Sequence, residues 1–135
     1  MNNKYIELAI KEAEKACKKG EVPVGAVIVK DNKIISKAHN TIEKDNNPIK
    51  HAEIKAIEKA TKKLNNWRLN DCELYVTLEP CDMCRGAIKN ARISNIYYIL
   101  SKKENVTEKA VYKEIKLYQN QYLELLQNFF KKKRV

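Results

Sequence analysis

Leu74-Tyr75-Val76-Thr77-Leu78-Glu79-Pro80-Cys81-Asp82-Met83-Cys84 is the stretch on which the reading of this chain turns. Its first half is a short apolar and β-branched run, which predicts a strand over Cys72 to about Leu78. Pro80 ends the strand and stands where a helix begins, a position at which its missing N–H is not needed. The helix is expected over about Cys81 to Ala91 and opens with a Cys-x-x-Cys pair. In a first helical turn the unpaired amide N–H groups favour thiolate over thiol.

Upstream lies a second chemical stretch, His51-Ala52-Glu53, at the start of a helix expected to run to about Lys63. Ala52, Ala56, Ile57, Ala60 and Leu64 form its apolar stripe. One imidazole and two thiolates make a borderline-soft donor set that suits zinc. His51, Cys81 and Cys84 are therefore the expected ligands of one Zn2+ per chain. Three protein ligands leave the fourth tetrahedral position open to water, which points to a catalytic site. Glu53 is the expected catalytic acid–base. On a regular helix His51 and Glu53 lie about 200° apart, so both serve one site only if it lies over the helix end.

A structural zinc knot would need a fourth ligand, and the only other histidine, His39, lies at a strand end. Cys17 and Cys72 have no Cys or His at ligand spacing and read as ordinary buried or half-buried residues.

The rest of the chain supplies a frame. Tyr5 to Lys19 has helical apolar spacing and stops at Gly20. Glu21-Val22-Pro23-Val24-Gly25 leads into a strand to about Lys30, Asp31-Asn32 makes a tight turn, and Lys33 to about His39 returns antiparallel. The run Val27-Ile28-Val29 predicts burial on both faces. Asn40 to Lys50 and Asn65 to Asp71 read as loops, the second carrying Trp67 as a packing residue. Ile96 to Leu100 is a fourth strand, and strand–helix–strand order makes it parallel to the third. Glu114 to Leu117 is expected as a short fifth strand, and Tyr118 to Lys133 as a final helix with a basic tail.

At 135 residues the chain is expected to be one domain, residues 1–135. No run approaches the roughly 20 apolar residues that span a bilayer. Without a signal-peptide pattern at Met1-Asn2-Asn3-Lys4, a cytoplasmic location is expected. The net charge of +10 suits a polyanionic partner, although an excess of lysine also follows from base-composition bias.

His-x-Glu followed by Pro-Cys-x-x-Cys is the general signature of zinc nucleobase deaminases. The chain resembles one such family, the bacterial tRNA-specific adenosine deaminases of the cytidine deaminase-like fold. The resemblance is carried by Glu21-Val22-Pro23-Val24-Gly25-Ala26-Val27, Asn40, His51-Ala52-Glu53-Ile54, Asn66-Trp67-Arg68-Leu69 and the Leu74–Cys84 stretch continued by Gly86-Ala87-Ile88. It implies an α/β fold: a three-layer α/β/α sandwich whose mixed sheet of about five strands has helices on both faces.

It also implies hydrolytic conversion of adenosine to inosine at the wobble position of a tRNA anticodon, with arginine tRNA as substrate, and a homodimer. By resemblance, Asn40, Val24 and the backbone of Ala52 contact the flipped base, and Lys131, Lys132, Lys133 and Arg134 contact RNA. Arg85 reads either as an RNA contact or as a surface cation. The chain departs from the family at Ile99-Leu100-Ser101-Lys102-Lys103-Glu104 and is shorter before Glu114, in the RNA-facing region rather than at the metal ligands. A deaminase of free guanine or cytosine, and a zinc- and RNA-binding relative without activity, are the alternatives.

Overall fold

Successive residues of the first strand face opposite sides of the sheet, and all but the last, Lys30, are buried. Ala26 and Ile28 enter one core with Ala52, Ala56 and Ile88, while Val27 and Val29 enter another with Ile6, Ile10 and Tyr122. This two-sided burial is what an unbroken apolar run predicts.

The computed structural model describes residues 3–101, 112–114 and 118–133. Its elements are α1 (Asn3–Lys18), β1 (Gly25–Lys30), β2 (Lys33–His39), α2 (Ile42–Asp45), α3 (Ala52–Leu64), β3 (Cys72–Leu78), α4 (Asp82–Asn90), β4 (Asn95–Leu100), β5 (Tyr112–Glu114) and α5 (Gln119–Lys133). The five-stranded sheet has the order β2-β1-β3-β4-β5. β1 is antiparallel to β2 and β3, whereas β3, β4 and β5 are parallel. α1 and α5 cover one face, α3 and α4 the other, which makes the expected three-layer α/β/α sandwich.

Local chemistry explains most of the element ends. Asp31 and Asn32 both have positive φ, 50° and 61°, as a two-residue hairpin turn requires. Asn65 closes α3 in the left-handed region, a usual helix stop. At Gly25 a Cβ would lie 2.0 Å from the Ala9 carbonyl oxygen and 2.7 Å from the Ala13 amide nitrogen. The start of β1 thus lies directly against the α1 backbone, and only glycine fits there.

Two expectations need correction. The segment from Asn40 to Lys50 is not all loop, because Ile42–Asp45 forms a short helix. Its first turn has no side-chain cap of its own; the buried Glu21 carboxylate accepts the Glu43 and Lys44 N–H groups at 3.0 and 2.9 Å instead. The fifth strand lies at Tyr112–Glu114 rather than beginning at Glu114, and residues 115–117 fall outside the described part. Among the described residues no helix is long and apolar enough to cross a membrane.

Candidate metal centre and base pocket

His51 is the N-cap of α3 and Cys81 the N-cap of α4, both in extended backbone conformation (φ −71°, ψ 155° and φ −73°, ψ 173°). N-caps are usually Ser, Thr, Asp or Asn, which fold back onto the helix amides. Neither side chain here makes such a bond. They meet each other instead. His51 Nδ1 lies 3.7 Å from Cys81 Sγ and 3.5 Å from Cys84 Sγ. This also resolves the angular difficulty at His51 and Glu53, since an extended N-cap is not bound by helical spacing.

The separations fit a metal. Bonds of about 2.0–2.1 Å to nitrogen and about 2.3 Å to sulfur, at the tetrahedral angle, place N and S about 3.5–3.6 Å apart. The ligand atoms of His51, Cys81 and Cys84 all lie within 4.8 Å of one another. The electrostatics point the same way. Burial pushes the Cys84 thiol pKa up, and the charge of Glu53 adds to this. A buried thiolate beside a carboxylate is favoured by a cation next to it, which a bound metal would supply.

A cavity of about 260 Å³ is lined by two of the three donors, His51 and Cys81. It is smaller than the roughly 300–1,000 Å³ of drug-sized sites, which suits a single nucleobase. Val22 and Val24 form an apolar side, Ile42 of α2 another, and Glu53, buried at 3% exposure, reaches the cavity beside His51 and Cys81. Asn40 lines it too, and its amide is already engaged. Its Oδ1 accepts the Ala52 N–H at 2.7 Å and its Nδ2 donates to the Val22 carbonyl at 3.2 Å. An amide nitrogen carries two hydrogens, so Asn40 keeps donor capacity toward a ligand. The Ala52 N–H is spent on Asn40.

Several residues that hold the site were not singled out from sequence. Besides Glu21, Tyr122 of α5 donates its buried hydroxyl to the Pro23 carbonyl at 2.7 Å, next to Val24. Thr77 Oγ1 accepts the Gly25 N–H at 3.2 Å. A charged residue directly before the apolar Val22-Pro23-Val24 entry is the one local sign of Glu21. Arg85 is neither a surface cation nor exposed for RNA: it is 13% exposed and ion-paired with the buried Glu79.

The basic end of α5 lies beside the same edge. Lys131, Lys132 and Lys133 are exposed in its last turn, and Lys133 Nζ is 3.9 Å from where a Cβ on Gly20 would stand. That brings exposed Lys18 and Lys19, at the end of α1, into the same basic surface. Arg134 lies outside the described residues.

Other candidates stand apart. His39 bonds Glu12 through Nδ1 at 2.9 Å and approaches Lys19 Nζ at 3.4 Å through Nε2. Cys72 is buried and Cys17 half-buried, both as free thiols. Trp67 is not a buried packing residue; it is 53% exposed, with the Arg68 guanidinium 4.3 Å from its ring centre. It follows the C-terminal end of α3, whereas the metal donors gather at the N-terminal ends of α3 and α4.

Comparison with known proteins agrees with this geometry. The chain is 51% identical over 94 residues to a tRNA-specific adenosine deaminase of Aquifex aeolicus, covering 70% of this chain and 62% of that protein. It therefore spans less than two thirds of that relative's length. A solved structure from work on A-to-I editing by tRNA:A34 deaminases superposes with a TM-score of 0.84 at 33% identity, over 93% of this chain and 100% of the other. A guanine deaminase of Bacillus subtilis superposes with a TM-score of 0.71 at 31% identity, over 95% of each chain. The MafB19-like deaminase model matches residues 1–134. Since that match runs through both helix ends that carry the donors, the chain belongs to the MafB19-like deaminase family.

Proposed function

We propose that this chain hydrolyses the exocyclic amine of adenosine at the wobble position of a tRNA anticodon, leaving inosine and ammonia. The observation that carries the reading is the convergence of His51, Cys81 and Cys84 beside buried Glu53, at the edge of a cavity of nucleobase size. The relatives named for tRNA adenosine deamination supply the substrate.

His51 Nδ1 and the two cysteine sulfurs would hold a zinc ion, which when bound acts as a Lewis acid and makes water nucleophilic near neutral pH. Glu53 takes a proton from the attacking water on a carboxylate oxygen. It passes that proton to a ring nitrogen, then takes the second from the hydroxyl now on the carbon and gives it to the departing amine, which leaves as ammonia. Water and adenosine thus become inosine and ammonia, with no other reactant. Val24 and Ile42 exclude solvent around the base, and the Asn40 amide donates to it. Ala52 acts through its place in the α3 first turn, its N–H fixed by Asn40.

Lys131, Lys132, Lys133 and Arg134 carry RNA phosphates, with Lys18 and Lys19 extending their surface. Residues 1–135 work as one domain in a cytoplasmic homodimer, on an arginine tRNA. The test is inosine detection by mass spectrometry after incubating zinc-loaded protein with an arginine anticodon stem-loop carrying wobble adenosine. Conversion confined to that adenosine is the expected result. Release of ammonia from free guanine, without conversion of the stem-loop, would replace this reading by that of the guanine deaminase neighbour.

A further inference from the structure

Glu79 and Arg85 bracket the two thiol ligands in the chain, one before Cys81 and the other after Cys84. In the fold they close on each other: an Arg85 guanidinium nitrogen pairs with Glu79 Oε2. Glu79 is 2% exposed, and its other carboxylate oxygen accepts the Ser101 hydroxyl at 3.0 Å. Its backbone N–H donates to the Leu100 carbonyl at 2.9 Å, and the Arg85 N–H donates to the Cys81 carbonyl at 2.9 Å. The turn carrying both cysteines is thus tied across its base and anchored to the end of β4. We propose that Glu79 and Arg85 are positioning residues, a clasp that sets the Cys81 and Cys84 sulfurs at metal-binding separation before any metal arrives.

The physical argument has two parts. A buried ion pair gives up hydration on both partners and is weak evidence for stability by itself; apolar side chains of similar volume often serve as well. Its geometric effect is different. Joining the ends of a short ligand-bearing segment removes freedom that metal binding would otherwise have to remove, so the pair acts on affinity through preorganisation. Groups that orient metal ligands typically contribute about 10- to 100-fold in affinity. The inference rests on the metal reading of the site and does not depend on the substrate.

The test is zinc affinity by competition with a chromophoric chelator, together with the Co2+ ligand-field spectrum, on the full chain. In the double variant Glu79→Leu/Arg85→Met the metal-free melting temperature should stay within about 5 °C of the parent. Its zinc affinity should fall about 10- to 100-fold, with a broadened or shifted Co2+ band. Arg85→Gln, which keeps a neutral donor to Glu79, should fold and show a smaller loss in the same direction. Parent-like zinc affinity in either folded variant would overturn the clasp. A parent that takes up no zinc would overturn it together with the metal reading. Zinc binding and clasp behaviour as expected, with no inosine formed, would sink the proposed reaction alone.

Discussion

Asn40 accepts the Ala52 N–H at 2.7 Å, joining the end of β2 to the first turn of the helix that carries Glu53. First-turn amides have no partner within their own helix, and this one is buried, so it needs an outside acceptor. Asn40→Ala should lower stability by about 1–3 kcal/mol, the cost of a buried donor left unpaired. Asn40→Asp keeps the acceptor for Ala52 but loses the bond to the Val22 carbonyl, so it should recover only part of that loss while removing the amide donor that faces the cavity. Urea unfolding reads the first effect, and steady-state deamination reads the second.

Replacement of Glu53 by glutamine preserves its size and removes its capacity to carry a proton. Glu53→Gln should therefore retain one zinc per chain by metal analysis. Inosine formation should slow by about 10²- to 10⁴-fold, the usual weight of a general acid–base. Unchanged turnover would exclude Glu53 as the proton carrier.

The lysines at the end of α5 are exposed, with Lys133 Nζ near a core ring, 5.6 Å from the Phe129 centroid, so their role would show in salt dependence more than in stability. Replacing Lys131, Lys132 and Lys133 by glutamine should reduce the slope of log affinity against log salt by about 2, at about 0.7 per phosphate contact on single-stranded RNA. Lys18→Gln/Lys19→Gln should reduce it by about 1 more. Fluorescence anisotropy with a labelled anticodon stem-loop across a salt series measures both. An unchanged slope would remove these side chains from the RNA surface.

Acid stability offers a prediction from Glu12. Burial by itself raises the carboxyl pKa, but hydrogen bonds from Lys15 and His39 outweigh this and hold it below the ordinary value of 4.5. A depressed folded pKa means that Glu12 stabilises the fold fully above its unfolded value. The contribution is lost as pH falls through the lower, folded value. The stability gap between parent and Glu12→Gln should be present above the ordinary carboxyl value of 4.5 and narrow progressively as pH falls below it. A gap that does not narrow as pH falls below 4.5 in urea unfolding would contradict this.

Much of the fold was legible locally. The Leu74–Cys84 stretch announces strand, turn and helix because strand propensity, a proline and an apolar period all lie within a few residues of one another. The antiparallel hairpin follows from Asp31-Asn32 for the same reason. His51, Cys81 and Cys84 are recognisable as a zinc set by residue type, before any geometry is known.

The tertiary structure decided the rest, because the deciding contacts join residues far apart in sequence. Tyr122 reaches Pro23 across 99 positions, and Asn40 reaches Ala52 across 12. Glu21 caps a helix that has no cap of its own, and Arg85 turns inward to Glu79 where spacing alone allowed RNA or solvent. Such pairings depend on sheet order and register, which no local window contains. The sequence by itself determined which chemistry this chain can hold. The packing of two helix N-termini against one sheet edge decided where the donors meet, which of Asn40's hydrogen bonds are already spent, and what holds the cysteine turn in place.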